Sequence, residues 1–491
     1  MADPMKAASA PEASAAELSL LDQIVEQGKL GRDAEQRSRG RDQVRRFVEE
    51  VLKGAMTVSR STEAMIEQRI AQIDHLVSQQ VTAILHHPEF QRLEGAWRGL
   101  HYLVRQTETS ERLKLKVLNV SKRELLKDLQ DKDWDQSALF IKVYEEEYGM
   151  FGGTPFSAMV GDYYFDKSGP DVDLLEKISN VAAAAHAPFV SAAAPGMFNL
   201  DGWADLATPT DLAKIFDSTE YARWKGFRNT DDSRYVALAA PRFLAREPYA
   251  PDTSPVEAFR YDERVSGADH DQYCWANAAY AMAANITRAF AEYGWCASIR
   301  GVESGGLVEG LPVHTFRTET GEVAMKCPTE VQITDRREKE MADLGFAALV
   351  HQKNTASAAF FAVQSANKPK VYDDHNASAS SRLSAQLPYI FATSRFAHYL
   401  KVMMRDKIGG YDSRAEIDAF LNRWIQNYVA VEGSSQSVKN SKPLSEARID
   451  VVEVPGKPGA YRAVAYLKPH YQLDELAVSM RLVADLPQPA G

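Results

Sequence analysis

Residues 86–120, HHPEFQRLEGAWRGLHYLVRQTETSERLKLKVLNV, change hydrophobic period partway along, which limits the chain to folds where a helical front meets an α/β body. Phe90, Leu93, Trp97, Leu100 and Val104 recur every three or four residues, the spacing of one apolar helix stripe, and Pro88 suits the first turn. That stripe needs a partner. Leu113, Leu115 and Val117 then alternate with Lys114 and Lys116, which predicts a strand, and Ser121 with Glu124 forms a capping box for the next helix. Arg92, Glu94, Arg98 and His101 read as a solvated or interface face rather than a catalytic site.

At 491 residues the chain has room for a large core, as about three domains of roughly 150 residues or as one body with insertions. A net charge of −10 argues against broad nucleic-acid binding, and the cluster Arg37, Arg39, Arg41, Arg45 and Arg46 is diluted by neighbouring carboxylates. Cys274, Cys296 and Cys327 give neither a disulfide framework nor a zinc spacing, so a reducing compartment is expected. The opening MADPMKAASAPEASAAE lacks an apolar signal region. No window approaches the roughly 18 apolar residues of a membrane span, so no direct membrane insertion and a cytoplasmic location are expected.

Residues 1–14 read as a disordered lead, and Ser14 with Glu17 caps a short helix carrying Leu18, Leu21, Ile24 and Val25 before Gly28 and Gly31. Three turns are marginal alone, so this helix is either docked on its own body or kept for a partner. Val44, Phe47, Val48, Val51 and Leu52 mark a second helix. Ile66, Ile70, Ile73, Val77 and Ile84 mark a third, close to a heptad series with Gln80 in register. Those two helices make either an intramolecular hairpin or a seam with a partner helix.

Helices predicted at 122–129, 138–148 and 172–185 alternate with strands at 156–160, 189–193 and 235–239, a βαβ-like rhythm and thus an α/β fold. The small-residue stretch Asp269 to Tyr293 reads as a buried helix, and 383–408 and 415–429 as two amphipathic ones. No phosphate loop, HExxH or SxxK with a base is present. Val302 to Gly306 fails the nucleophile-elbow pattern, and Asp373, Asp374 and His375 read as a turn. No cofactor, metal or catalytic residue is expected. The tail shows a polar linker at Ser434 to Lys442, then β-prone runs at 448–454, 461–467 and 476–483, the first two joined by Pro455 to Gly459. Isolated hairpins leave edge groups unpaired, so the tail docks on its own body or exchanges strands with neighbouring chains.

Several of these stretches resemble one family. HPEFQRLEGAWRGLHYLV, YEEEYGMFGGTPFSAMVGDYYF, WANAAYAMA, RGVESGGLVEGLPVHTF, TDRREKEMADLGFAALVH, RLSAQLPYIFATSRFAHYLKVMMRDKIG and the tail from EVPGKPGAYRAVAYLKPHY are similar to the large subunit of the type VI secretion contractile sheath, the TssC or VipB family. The likeness runs in order from about residue 15 to the end and departs at Ser304, where a third glycine is expected. It implies a structural protein with a contractile-sheath-type α/β body, a helical N-terminal region and a C-terminal β-strand extension that pairs between subunits. The corresponding segments are 1–40, flexible with an unfoldase-recognition helix; 41–110, helical and facing the small subunit; 111–432, the body; and 433–491, the linker and strands. Implied partners are the small sheath subunit (TssB or VipA), further copies in a helical polymer, the Hcp inner tube, a baseplate at the inner membrane and the AAA+ unfoldase ClpV. Leu18, Leu21, Ile24 and Val25 would be recognised by the unfoldase; Ile66, Ile70, Ile73 and Val77 would meet the small subunit; Ile449, Val451, Val452, Val464 and Tyr466 would lie in the shared sheet. The sheath of another contractile machine, and a cytosolic α/β enzyme with an unrecognised site, are the competing readings.

Overall fold

Runs such as FVSAA, VALAA and FAALVH are almost wholly apolar or small, and in a computed structural model of the chain each is a buried strand whose two faces enter different cores. The structure describes residues 33–52, 62–208, 210–255, 259–267, 269–318, 320–410, 413–456, 460–470 and 472. It divides into two compact units, residues 1–82 with 251–262, and residues 83–250 with 263–491.

In the first unit lie α1 (Ala34–Leu52) and most of α2 (Thr62–Leu85). Arg39 and Glu35 pair one turn apart on α1, and the Thr82 and Tyr261 hydroxyls meet at 2.9 Å.

The second unit opens with α3 (Pro88–Gln106) and α4 (Lys122–Asp131), the latter started by the expected Ser121–Glu124 capping box. Its centre is a six-stranded sheet built from β1 (Met159–Phe165), β2 (Phe189–Ala193), β3 (Val236–Ala240), β4 (Leu307–Val308), β5 (Phe346–His351) and β6 (Ala358–Phe360), in the order β1-β2-β3-β5-β6-β4. The first four run parallel, as the βαβ rhythm requires; β6 runs against them, and β4 pairs antiparallel with β6. Phe189, Leu238 and Phe346 point to one core, covered by α5 (Gly169–Ala185). Val190, Ala237, Ala239 and Ala347 point to the other, covered by α6 (Ala278–Tyr293). The α6 side of the sheet is alanine-rich, so there backbone lies close to backbone. Burial on both faces also explains why β5 reads as a continuous apolar run, which the alternation rule passes over.

The same closeness holds α3. A Cβ on Gly95 would fall 2.4 Å from the Trp275 carbonyl oxygen, and one on Gly99 would enter the Tyr280 ring. Consequently the small face of α3 is inside and most of the apolar stripe is outside: Leu93 is 56% and Trp97 65% exposed, with Val104 beside them, while Phe90 and Leu100 are half-buried. Glu94 and Arg98 also depart from the solvated face assigned to them. Arg246 donates from Nε to Glu94 at 2.7 Å and from Nη1 to Glu263 at 2.6 Å, while Arg98 reaches Glu94 at 2.7 Å and the Tyr249 hydroxyl at 2.7 Å. Burial alone would raise the Glu94 carboxyl, but its two arginines outweigh that and hold it below the usual carboxylate range.

Three further differences have local causes. Residues 113–117 are extended but join no ladder among the described residues, and Val117 and Leu118 face solvent, because an alternating pattern supplies a face and not a neighbour. The helix expected over 138–148 is a turn of α-helix followed by a π-helix, Ile141–Gly149. α6 starts only at Asn277, whose side chain accepts from the Ala279 N–H at 2.8 Å, since residues 275–276 are drawn into a short strand paired with Phe243–Leu244.

The described residues close with α7 (Leu387–Asp406), α8 (Arg414–Gln426), and a hairpin of β7 (Leu444–Glu453) and β8 (Tyr461–Pro469). The stretch Ser434 to Lys442 is not a free linker: it holds a short helix, Gln436–Ser441, and the buried Asn440 donates to the Ser298 hydroxyl at 3.1 Å. Replacing Gly95 with Val is expected to destabilise the chain by about 1–3 kcal/mol, the usual scale of an overpacked contact, whereas Leu93→Ala should stay within about 0.5 kcal/mol. Urea denaturation of both variants checks this.

Candidate interaction surfaces

A strand exposes backbone donors and acceptors along each edge, and the tail hairpin treats its two edges differently. β7 and β8 pair along their whole length, Arg448 opposite Tyr466, Asp450 opposite Val464 and Val452 opposite Arg462. On the far side of β7 the partner is a helix. Asn422 of α8 accepts from the Ile449 N–H at 3.0 Å and donates to the Ile449 carbonyl at 2.6 Å, so one amide side chain does what a neighbouring strand would do. Asp418 accepts from the Val451 N–H at 3.0 Å, and Gln426 donates to the Ala447 carbonyl at 3.0 Å. By the alternation of an antiparallel ladder, odd-numbered residues of β8 direct their backbone groups outward. Among the described residues, the N–H and C=O of Ala463, Ala465 and Leu467 meet no partner.

The five tail residues singled out from the sequence therefore share one hairpin but not one face. Ile449 and Val451 are buried against Ile417, Leu421 and Trp295, so their side chains are committed to this chain's own body. Val452 and Tyr466 stand on the solvent face with the half-buried Val464, where the Arg448 guanidinium lies 4.9 Å from the centre of the Tyr466 ring and Lys468 pairs with Glu446 at 2.6 Å. The third β-prone run, 476–483, and Leu18, Leu21, Ile24 and Val25 lie outside the described residues. Asn422, Asp418 and Gln426 escaped the sequence reading; their spacing of four along one helix face was the available signal.

On α2 the heptad-like series is solvent-facing as a set: Ile66, Ile70, Ile73 and Val77 are each more than two-fifths exposed, with Leu76 beside them. They form an exposed aliphatic stripe along a helix of 24 residues.

Nothing in these surfaces is catalytic. Asp374 accepts from the Ala377 N–H at 3.0 Å, so the Asp373, Asp374, His375 sequence starts a helix. Among the described residues no group of three or more His, Cys, Asp or Glu side chains could hold a metal ion, and no helix is long and apolar enough to cross a membrane.

Two family profiles match the chain. Residues 67–367 match the VipB family, described as EvpB/VC_A0108 tail sheath N-terminal domain, and residues 376–486 match a second profile, the tail sheath gpW/gp25-like domain. The chain is thus a contractile-sheath subunit, a structural protein and not an enzyme. It is 53% identical over 449 residues to the type VI secretion system sheath protein TssC1 of Pseudomonas aeruginosa, covering 90% of each chain. It belongs to the VipB/TssC family, the large subunits of the type VI secretion contractile sheath. Among solved structures, the anti-feeding prophage helical sheath in its contracted state is similar with a TM-score of 0.34 at 10% identity, covering 79% of this chain and 86% of that one. The baseplate of the same particle is similar with a TM-score of 0.34 at 10% identity, over 64% and 67%.

Replacing Asn422 with Leu keeps the volume but leaves both Ile449 backbone groups unpaired, which costs about 1–3 kcal/mol. Hydrogen exchange is expected to quicken at least tenfold at the Ile449 amide in that variant.

Proposed function

We propose that this chain co-assembles with a small sheath subunit of the TssB or VipA kind into a helical tube, and that β8 is where neighbouring subunits add a strand. The observation that carries the reading is the unequal hairpin: β7 is closed by side chains of α8 while the outer backbone groups of β8 are unpaired among the described residues. An open edge beside a closed one fixes which side a visiting strand can join, and main-chain hydrogen bonds supply affinity without a side-chain pocket. The run 476–483 could serve a neighbouring hairpin in the same way. Because each chain offers an acceptor edge to a different chain, the contact is heterologous and propagates as a filament instead of closing.

In this reading the small subunit's helices cover Ile66, Ile70, Ile73 and Val77, and the tube surrounds an Hcp inner tube and is anchored on a baseplate, inside the cytoplasm. Contraction switches the tube between two packings and drives the inner tube outward. The N-terminal stripe Leu18, Leu21, Ile24 and Val25 is then the segment a ClpV-type unfoldase engages on contracted sheath; ATP is consumed by that partner.

Proline tests the edge selectively. At Ala465 it removes an outward N–H and leaves the internal ladder intact, whereas at Val464 it removes an internal donor. Ala465→Pro is expected to yield a folded chain that forms no tubes with the small subunit by negative-stain microscopy; normal tubes would refute strand addition at β8. In the same co-expression, Ile70→Asp with Ile73→Asp should abolish co-purification of the small subunit, and sheaths lacking residues 1–31 should contract but no longer bind the unfoldase.

A further inference from the structure

A small cavity lies where α7 meets the residue that ends α5 and the turn that follows α6. His186, Trp295, Cys296, Ser394, Arg395 and His398 contribute to its lining, and it has room for about one water-sized species. Two donors of α7 are buried at this place without a hydrogen-bond partner: the hydroxyl of Ser394, a residue 2% exposed, and the Arg395 Nε–H. Tyr235 stands near Ser394, but its hydroxyl lies 3.3 Å from His186 Nδ1. Donors withdrawn from water in this way cost free energy that no protein group here returns.

The remainder of the Arg395 guanidinium is accounted for. His398 Nε2 lies 2.9 Å from the Ala185 carbonyl oxygen, which can only accept, so the ring proton is on Nε2 and Nδ1 accepts from Arg395 Nη1 at 3.5 Å. The guanidinium also lies over the Tyr399 ring, 4.8 Å from its centre. No carboxylate completes the set. Among the described residues Arg395 makes no ion pair, and the side chains lining the cavity include no Asp or Glu. Burial, with Arg395 and Lys401 close by, pushes the His398 imidazole down to about 4, and burial and Lys401 lower His186 as well, so both rings are neutral near pH 7. The positive charge at the cavity is that of Arg395, with a second on Lys401, seated 3.4 Å from the centre of the Tyr148 ring.

We propose that this cavity is a binding site for a small inorganic anion of chloride's size, held by Arg395 Nε and the Ser394 hydroxyl. A water molecule accepting from both donors would still have two protons of its own to place, with no carboxylate there to take them. An anion has none to place, and it offsets the charge of an arginine that lacks an acidic partner. Bound there, it ties α7 to the end of α5 and to the turn after α6.

Urea unfolding of the full-length chain at pH 7.5 tests this, with sodium chloride exchanged for sodium gluconate, whose anion is too large for the cavity, at constant ionic strength. Chloride is expected to raise the folded-to-unfolded ratio saturably, on the order of tenfold by about 150 mM, the rise for a site half-filled near roughly 15 mM. Arg395→Gln and Ser394→Ala should each abolish that saturable rise, whereas Arg336→Gln, at an exposed arginine of another helix, should keep it. Equal stability in the two salts would overturn the site and leave the cavity to water, and a chloride response retained in Arg395→Gln would place the anion elsewhere. Should Arg395→Gln not fold, Ser394→Ala, which removes a single oxygen, decides: an unchanged chloride response in that variant overturns the proposal.

Discussion

A backbone N–H or C=O withdrawn from water must find a partner, and the edges of β-structure are where this chain answers that requirement in unlike ways. At the slip between Val160 and Tyr164 of β1, the Ser191 hydroxyl reaches the Gly161 carbonyl at 2.8 Å. At Tyr164 the Lys122 ammonium takes the carbonyl at 2.7 Å. On β7 an amide, a carboxylate and a second amide from α8 cover four groups in succession. Side chains of the chain itself thus fill the irregular pairing of β1 and cover the inner edge of β7. The outer edge of β8 has no such cover among the described residues, and in a hairpin whose other edge is sealed that difference is directional information.

The sealing is possible because the hairpin rests on a rigid support. α8 can present Asp418, Asn422 and Gln426 in line only if the helix is fixed, and Ile417, Leu421 and Ile425 on the adjacent face fix it in a core shared with Phe396 and Trp295. That core in turn borders a body whose central layer permits little movement. Alanines of α6 lie on alanines of β3 and β5, and Gly95 and Gly99 bring α3 against the residues just before α6 and at its start. Close-packed small residues leave few alternative rotamers, so the layer resists deformation. A body of this kind moves as a unit when load is applied to it.

How much of this could be read from the letters follows the range of each interaction. The βαβ rhythm, the capping box at Ser121 and the two strands either side of Pro455 are local and appear in the predicted order, although the first strand lies at Met159–Phe165 instead of 156–160. The stripe on α3 shows the opposite case. Its period was legible, yet which side is buried depends on Trp275 and Tyr280, far along the chain, and the glycines win the inside because only they admit a backbone carbonyl at such distance. Glu94 and Arg98 look solvated in sequence for the same reason, since Arg246 and Glu263 are remote. The resemblance to sheath proteins conveyed the family that the relative at 53% identity shows, but it was silent on Asn422, whose role is visible only beside Ile449.

The tail geometry also bears on where compliance lies in the proposed sheath. If residues 434–442 were a loose tether, the hairpin could swing relative to its own body. Instead the Leu444 N–H donates to the Tyr428 carbonyl at 3.2 Å, the Ala430 N–H to the Leu444 carbonyl at 2.9 Å and the His470 N–H to the Pro443 carbonyl at 3.1 Å, which pins both ends of the hairpin to the same corner. Tension on β8 therefore passes across the ladder into β7, then through Ile449, Val451 and the α8 side chains into the core. A strand added at β8 would be pulled along its length, loading all of its hydrogen bonds together and not one after another. With the acceptor hairpin this firmly seated, any movement between subunits in the proposed sheath would fall on the connection to the donated strand and not on the hairpin.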